Sequence, residues 1–143
     1  MNLIVTNSAD KNLLDPATDG HYNKEEIRIY YLTNGVKEEV FHANQDAPRN
    51  FSIFNQDGEY FMNVSVNTDH IGRNETKETT TFIQWNDHDE DTVVCTVNRT
   101  VGKSDMTTVR KIWFNGKLMY DIQANKPATI GNGTFDKLLQ IKK

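Results

Sequence analysis

Short runs of β-branched and aromatic residues recur along most of the chain, separated by Asn, Asp and Gly, and helical periodicity is nearly absent. Alternation of apolar and polar residues is clearest in Glu59–Val66 and Thr92–Val101. Successive side chains of a β-strand point to opposite faces, so such alternation predicts strands with one buried face. The predicted buried residues are Tyr60, Met62, Val64 and Val66 in the first segment, and Val93, Cys95, Val97 and Val101 in the second.

These runs form pairs that predict four hairpins. Three pairs are joined by Asn34-Gly35, Asp57-Gly58 and Asn115-Gly116, residues that tolerate the positive φ of a tight hairpin turn. The fourth pair is joined by the hydrophilic segment Asn86–Asp91. The pairs are Ile27–Leu32 with Val36–Phe41, Phe51–Phe54 with Glu59–Val66, Thr79–Trp85 with Thr92–Val101, and Thr107–Phe114 with Lys117–Ile122.

Thr134–Ile141 is consistent with a last strand or a short helix, and we favour the strand. The pattern therefore predicts an all-β fold, a single antiparallel β-sandwich of about 7–9 strands and of immunoglobulin or prealbumin type. A small up-and-down β-barrel is the alternative, because periodicity does not distinguish the two. Residues 1–23 are polar and lack a sustained period, so we predict an N-terminal arm followed by a sandwich domain at 24–143.

The length and the net charge of the chain exclude some classes of function. A chain of 143 residues has the usual size of one domain, and its net charge of −4 offers no basic surplus for nucleic acid. No apolar run approaches the roughly twenty residues of a transmembrane helix. The start of the chain lacks the basic segment and apolar core of an export signal.

No motif for catalysis or for a cofactor stands out. Cys95, the single cysteine, lies in the middle of a predicted strand on its apolar side, where a thiol is usually a small buried hydrophobe. The four histidines are isolated, without the spacing of a metal site. We therefore predict no catalytic residue, no cofactor and no enzymatic activity, although plentiful carboxylates leave a paired-carboxylate hydrolase open.

Asp87, Asp89 and Asp91 are weak candidates for a calcium site. Carboxylates at alternate positions can converge on a hard cation. An EF-hand loop that began at Asp87 would need glycine at position 92 and glutamate at position 98, where Thr92 and Asn98 stand. A solvated hairpin tip is the favoured interpretation, with no metal bound.

Two pairs of adjacent aromatic residues point to a contact surface. Tyr30-Tyr31 and Trp113-Phe114 each place an aromatic ring on both faces of a predicted strand, and only one face of an outer sheet is buried. Exposed aromatic rings on a sheet suit a protein interface or carbohydrate stacking. The candidate binding residues are Tyr30, Tyr31 and Trp113.

The chain resembles uncharacterised small secreted lipoproteins of gut bacteria in two places. These are Asp10–Pro16 leading into Ile27–Gly35, and Val109–Leu118 near the end. The resemblance implies a β-sandwich module located in the cell envelope or outside the cell, but no catalytic residues. In those proteins a lipidated N-terminal cysteine provides the anchor. This sequence has no cysteine near its start, so a lipid anchor implies a trimmed leader, and a cytoplasmic location stays open.

We therefore expect a non-enzymatic binding or assembly module of a bacterial cell-envelope protein. Its partner would be a protein or a carbohydrate at the cell surface, not nucleic acid, and its oligomeric state is left open. The alternative function is that of a lipocalin-like barrel that carries a small apolar ligand in its interior.

Overall fold

The computed structural model describes residues 1–143, and every regular element in it is a β-strand. The chain thus forms no apolar helix of the length that a bilayer requires. The twelve strands are β1 (Asn2–Thr6), β2 (Arg28–Thr33), β3 (Val36–Glu39), β4 (Phe51–Gln56), β5 (Glu59–Val64), β6 (Glu75–Asn86), β7 (Asp89–Thr100), β8 (Met106–Phe114), β9 (Lys117–Asp121), β10 (Ala128–Ile130), β11 (Gly133–Phe135) and β12 (Leu138–Lys142).

Ten of the strands form two sheets. The small sheet has the order β12-β1-β5-β4, the large sheet has the order β3-β2-β6-β7-β8-β9, and β10 and β11 form a separate hairpin. Both sheets are open, with free edge strands, and a shared apolar layer lies between them. The predicted β-sandwich is confirmed, and the structure is not the small up-and-down barrel that was the alternative.

One cluster of 22 buried residues fills the space between the sheets. Trp85 is its largest member and is completely buried. The predicted alternation holds in β5 and β7, where Met62, Val64, Val93 and Val97 have no exposed surface. The sandwich is therefore held by burial of the inward side of both sheets, which is the main favourable contribution to folding.

Three hairpin turns have the backbone conformation that their sequences predict. Asn34-Gly35, Asp57-Gly58 and Asn115-Gly116 all have positive φ at both residues. Two-residue turns of this kind match the twist of the flanking strands. The hairpins β2-β3, β4-β5 and β8-β9 therefore have registers fixed by their turns.

The interpretation of residues 1–23 as a polar arm is wrong. Strand β1 lies inside the small sheet, parallel to β12 and antiparallel to β5, and Leu3 and Val5 are completely buried. Leu13 and Leu14 also enter the core. These apolar residues form two short groups, Leu3–Val5 and Leu13-Leu14, and both groups are buried.

The structure differs from the prediction in two further ways. The sandwich is not wholly antiparallel, because β1 and β12 pair in parallel from Asn2 opposite Leu138 to Thr6 opposite Lys142. The predicted last strand, Thr134–Ile141, is two strands, because the chain leaves β11 after Phe135 and enters β12 at Leu138. These elements and β1 raise the strand count above the predicted range.

The hairpin β10-β11 covers the outer side of the small sheet. Phe135 stacks on the ring of Phe61 with centroids 4.7 Å apart, and Phe61 stacks on Phe54 at 5.4 Å. Ile4, Phe61 and Phe135 form a second, smaller buried cluster there. The small sheet is consequently buried on both faces around Phe61.

Replacing Leu3 with alanine tests the structural role of β1. Loss of this completely buried side chain should lower the free energy of unfolding by about 2–5 kcal/mol, because a cavity forms within a packed core. Urea denaturation of the purified variant measures the change. Leu32→Ala is the control: that side chain is 39% exposed, and its removal should change stability by about 0.5 kcal/mol or less. Equal stability of the two variants would contradict a central β1.

Candidate functional site

The outer face of the large sheet carries a patch of apolar side chains. It arises by alternation, since Ile29, Ile83 and Ile112 are buried and their respective neighbours Tyr30, Phe82 and Trp113 project outward. Strand register brings these outward residues together: Tyr30 lies opposite Phe82, Val94 opposite Trp113, and Trp113 opposite Leu118. We call this surface the outer patch, which consists of Tyr30, Leu32, Phe82, Val94, Trp113 and Leu118.

No second layer covers the outer patch. Leu32 is 39% exposed and Leu118 is 47% exposed, while the other four members are half-buried. The only additional hairpin, β10-β11, packs on the small sheet. The outer patch therefore extends across β2, β6, β7, β8 and β9 as an apolar surface in contact with solvent.

Lys37 lies over one end of the outer patch. Its Nζ is 4.6 Å from the ring centroid of Tyr30 and 4.8 Å from that of Phe82. The same ammonium forms an ion pair with Glu90. A cation over an aromatic face is attracted by the ring quadrupole, so Lys37 occupies the faces of two rings in the patch.

The three candidate binding residues do not share one surface. Tyr30 and Trp113 lie in the outer patch, whereas Tyr31 points to the opposite side and packs against the core. Its hydroxyl donates to the carbonyl of Ser65 at 2.8 Å and accepts from Nδ2 of Asn50 at 3.0 Å. Burial raises the pKa of Tyr31. Tyr31 thus joins the sheets, and its place in the candidate surface is a correction required by strand alternation.

The acidic segment Asn86–Asp91 was predicted to be a solvated hairpin tip, but its turn is shorter than these six residues. Asn86 pairs with Asp89, which leaves only Asp87 and His88 in the turn. Asp91 is 3% exposed. Asp87 is exposed, so the three alternate aspartates do not converge on one point. No group of three or more His, Cys, Asp or Glu side chains is placed to hold a metal ion.

Asp91 accepts two hydrogen bonds and forms one ion pair. Nε1 of Trp85 donates to Oδ2 at 2.6 Å, Nδ2 of Asn115 donates to Oδ1 at 2.7 Å, and Nζ of Lys143 is 2.6 Å from Oδ2. A buried carboxylate is tolerated only when it is paired and hydrogen-bonded. Asp91 therefore satisfies the indole N–H of the largest core residue and pairs with Lys143, the residue after β12.

Asp89 extends this polar cluster toward the surface. Its Oδ1 is 2.7 Å from Nζ of Lys143, and its Oδ2 accepts a hydrogen bond of 2.5 Å from the hydroxyl of Tyr22. The ring of Tyr22 stacks on Trp85 with centroids 4.8 Å apart. Burial, and then the bond to Asp89, raise the pKa of Tyr22. The phenol thus stays protonated as a donor, and the cluster is suited to holding structure together.

Cys95 is a buried core residue. It is 1% exposed, and burial raises the pKa of its thiol to about 12. A thiolate is the reactive form of cysteine, so a thiol with this pKa is a poor nucleophile at neutral pH. Its position on the inward side of β7 agrees with the apolar alternation of that strand.

Sequence reasoning missed several residues of the outer patch and of the polar cluster. Phe82 and Leu118 could have been found by assigning each residue of a hairpin to a face, because register then places them beside Tyr30 and Trp113. Tyr22 and Lys143 had no such signal. They are 67 and 54 positions away from Asp89, and only the tertiary structure brings them to it.

Replacing Asp91 with alanine should lower the free energy of unfolding by about 1–3 kcal/mol, because it leaves the buried indole N–H of Trp85 without its acceptor, while Lys143 keeps its ion pair with Asp89. Denaturant unfolding followed by tryptophan fluorescence measures this loss. Asp87→Ala removes the same carboxylate from the exposed turn of the same hairpin and should change stability by about 0.5 kcal/mol or less. Similar losses in the two variants would argue against a structural role for Asp91.

The thiol of Cys95 should make stability depend on alkaline pH. In the unfolded chain it ionises near its ordinary value of 9.0, whereas in the folded chain it keeps its proton to about 12. The folded state then binds more protons, so the free energy of unfolding falls as pH rises from 9 toward 12. Urea denaturation at a series of pH values should show a smaller fall for Cys95→Ala than for the unchanged protein. Rapid alkylation of native Cys95 by iodoacetamide at pH 8 would contradict its burial.

Comparison with known proteins assigns no function to this arrangement. No protein-family model matches the chain, and no curated protein or solved structure is found to be similar to it. The geometry of the outer patch and of the polar cluster is therefore the basis on which function is inferred.

Proposed function

We propose that the chain is a non-enzymatic binding module and that the outer patch is its contact surface. The observation that carries the proposal is the set of apolar side chains that extends across five strands of the large sheet, with no layer packed on it. The pairs Tyr30–Phe82 and Val94–Trp113–Leu118 meet diagonally, because Phe82 lies opposite Thr92 and Val94 lies opposite Thr80. Contiguous exposed apolar surface on a folded domain typically marks an interaction site.

The contrast between the two sheets supports this surface as the functional one. The outer side of the small sheet also carries aromatic rings, but the β10-β11 hairpin covers them with Phe135. The chain therefore buries apolar residues on one outer side and leaves them exposed on the other. If the outer face of the large sheet served only to contact water, polar side chains would be expected at positions 32, 94 and 118 instead of Leu32, Val94 and Leu118.

The chemistry of the outer patch favours a protein partner over a carbohydrate. Sugar rings stack on free aromatic faces, and Lys37 already lies over the faces of Tyr30 and Phe82. The rest of the patch combines one large ring, Trp113, with the branched aliphatic side chains of Val94 and Leu118. Such a centre with charged residues at its rim is typical of protein interfaces. The rim includes the ion pairs of Lys37 with Glu90 and of Lys111 with Asp121.

We place this module in a bacterial cell envelope. That part of the proposal rests on the resemblance of Asp10–Pro16, Ile27–Gly35 and Val109–Leu118 to small secreted lipoproteins of gut bacteria. The partner is then expected to be another protein of the envelope or the cell surface. The net charge of −4 agrees with a partner other than nucleic acid.

The double variant Trp113→Ser, Leu118→Ser tests the proposal. The unchanged chain is first used to capture proteins from a bacterial envelope extract, and mass spectrometry identifies them. These proteins should bind the double variant at least tenfold more weakly than they bind the unchanged chain. The loss is expected because central aromatic and aliphatic side chains dominate protein interfaces. Thermal unfolding should show that the variant stays folded, since both side chains lie on the outer face of the sheet.

Met106→Ser is the matched control. Met106 is 60% exposed and lies in β8 outside the outer patch, so its replacement should leave binding unchanged. A glycan array tests the carbohydrate alternative. The unchanged chain should bind no sugar on the array. Unchanged capture by the double variant, or specific binding to a glycan, would refute a protein contact at the outer patch.

A further inference from the structure

Two hairpin turns of the large sheet have the same sequence and the same backbone conformation. Asn34-Gly35 joins β2 to β3, and Asn115-Gly116 joins β8 to β9. Their φ angles are 51° and 80° in the first turn and 48° and 78° in the second. All four residues are exposed to solvent. The chain thus contains one dipeptide twice in matching geometry, and a difference in its chemistry comes from the groups around each turn.

The amide of Asn115 is held on both sides by hydrogen bonds. Its Nδ2 donates to Oδ1 of Asp91 at 2.7 Å, and its Oδ1 accepts from the backbone N–H of Thr92 at 2.9 Å. Asp91 is buried, so this acceptor is itself fixed within the polar cluster. Asn34 is exposed, and no protein group hydrogen-bonds its amide. The side chain of Asn34 is therefore free to rotate in water, whereas that of Asn115 is fixed.

An asparagine that precedes glycine can lose its side-chain amide without an enzyme. The backbone nitrogen of the glycine attacks Cγ of the asparagine, a succinimide ring closes through the new C–N bond, and the Cγ–Nδ2 bond breaks. The amide leaves as ammonia with the proton of the glycine N–H. Water then opens the ring at either carbonyl and yields aspartate or isoaspartate. Glycine has no Cβ to block the approach, and the N–H groups of Gly35 and Gly116 form no backbone hydrogen bond.

We propose that Asn34 is a site of spontaneous deamidation and that Asp91 and Thr92 protect Asn115 from the same reaction. The attack requires the asparagine side chain to turn until Cγ contacts the backbone nitrogen of the next residue. Asn34 breaks no protein hydrogen bond when it turns. Asn115 must break two, one of them a strong, charge-assisted bond to a buried carboxylate. Conversion of Asn34 should therefore be at least about tenfold faster than conversion of Asn115.

The reactive turn lies where a change in the backbone is tolerated. Isoaspartate adds one methylene group to the main chain, so conversion of Asn34 would loosen the pairing of β3, an edge strand whose residues are all exposed. A carboxylate at position 115 would instead lie within hydrogen-bond distance of Asp91 and repel it. Asp91 is also the acceptor of the Trp85 indole in the core. Protection of Asn115 therefore also protects the polar cluster.

The third Asn-Gly pair, Asn132-Gly133, has a different geometry. Gly133 is the first residue of β11 and pairs with Ile130 across a two-residue turn. Its N–H belongs to the closing pair of that hairpin, so the nitrogen that would attack is engaged in a strand hydrogen bond. Conversion of Asn132 should consequently be slower than that of Asn34.

Peptide mapping after incubation at neutral pH and physiological temperature tests the proposal. Trypsin releases Asn34 in the peptide Ile29–Lys37 and Asn115 in the peptide Ile112–Lys117. Mass spectrometry measures the deamidated fraction of each peptide over time, and electron-transfer fragmentation distinguishes isoaspartate from aspartate. The urea-unfolded chain is the control, in which both sites should convert at similar rates. No conversion of Asn34, equal rates at the two sites in the folded chain, or a difference that persists in urea would overturn the proposal.

Two destabilised variants, each first shown to be folded by circular dichroism, separate the hydrogen bond from general stability. Asp91→Ala removes the acceptor of the Asn115 amide and should raise conversion of Asn115 several-fold, with the rate at Asn34 unchanged. Leu3→Ala opens a cavity in the core but leaves both partners of Asn115 in place, and it should raise conversion of Asn115 far less. An equal rise in the two variants would mean that global unfolding exposes Asn115, and would refute its protection by Asp91.

Discussion

The insertion of β1 between β5 and β12 is the constraint on which the rest of the structure depends. Without Asn2–Thr6 the small sheet would separate into the β4-β5 hairpin and the isolated strand β12. Neither part has enough pairing to cover the inward side of the large sheet, since two-stranded ribbons are marginal alone. Burial of Trp85 and of the apolar residues of β7 thus requires pairing between residues about 136 positions apart.

The polar cluster around Asp91 reinforces this closure from the other sheet. Lys143 follows β12, its backbone N–H bonds to Thr6, and its ammonium reaches Asp89 and Asp91 in the large sheet. The same carboxylate holds the indole of Trp85. The ion pair between Lys143 and Asp91 thereby links the residue that follows β12, the long hairpin β6-β7 and the centre of the core. A paired and fully hydrogen-bonded buried charge specifies this arrangement, because displacement of any member leaves another unsatisfied.

Local signals were enough to predict the hairpins and the fold class. Three turns are determined by residues that favour a positive φ, namely Asn34-Gly35, Asp57-Gly58 and Asn115-Gly116. The alternation of apolar and polar residues identifies the inward side of β5 and β7. Strand β1 was not predicted because Leu3–Val5 is too short to show a period, and its partners are distant in the sequence.

The candidate site was predictable to the extent that it depends on alternation. Tyr30 and Trp113 could be identified from the aromatic pairs, and the inward direction of Tyr31 follows from the burial of Ile29 two positions earlier. Asp91 could not be distinguished from Asp87 in the sequence, because both are aspartates of one hydrophilic segment. Their difference arises from Trp85 and Lys143, whose contacts exist only in the folded chain.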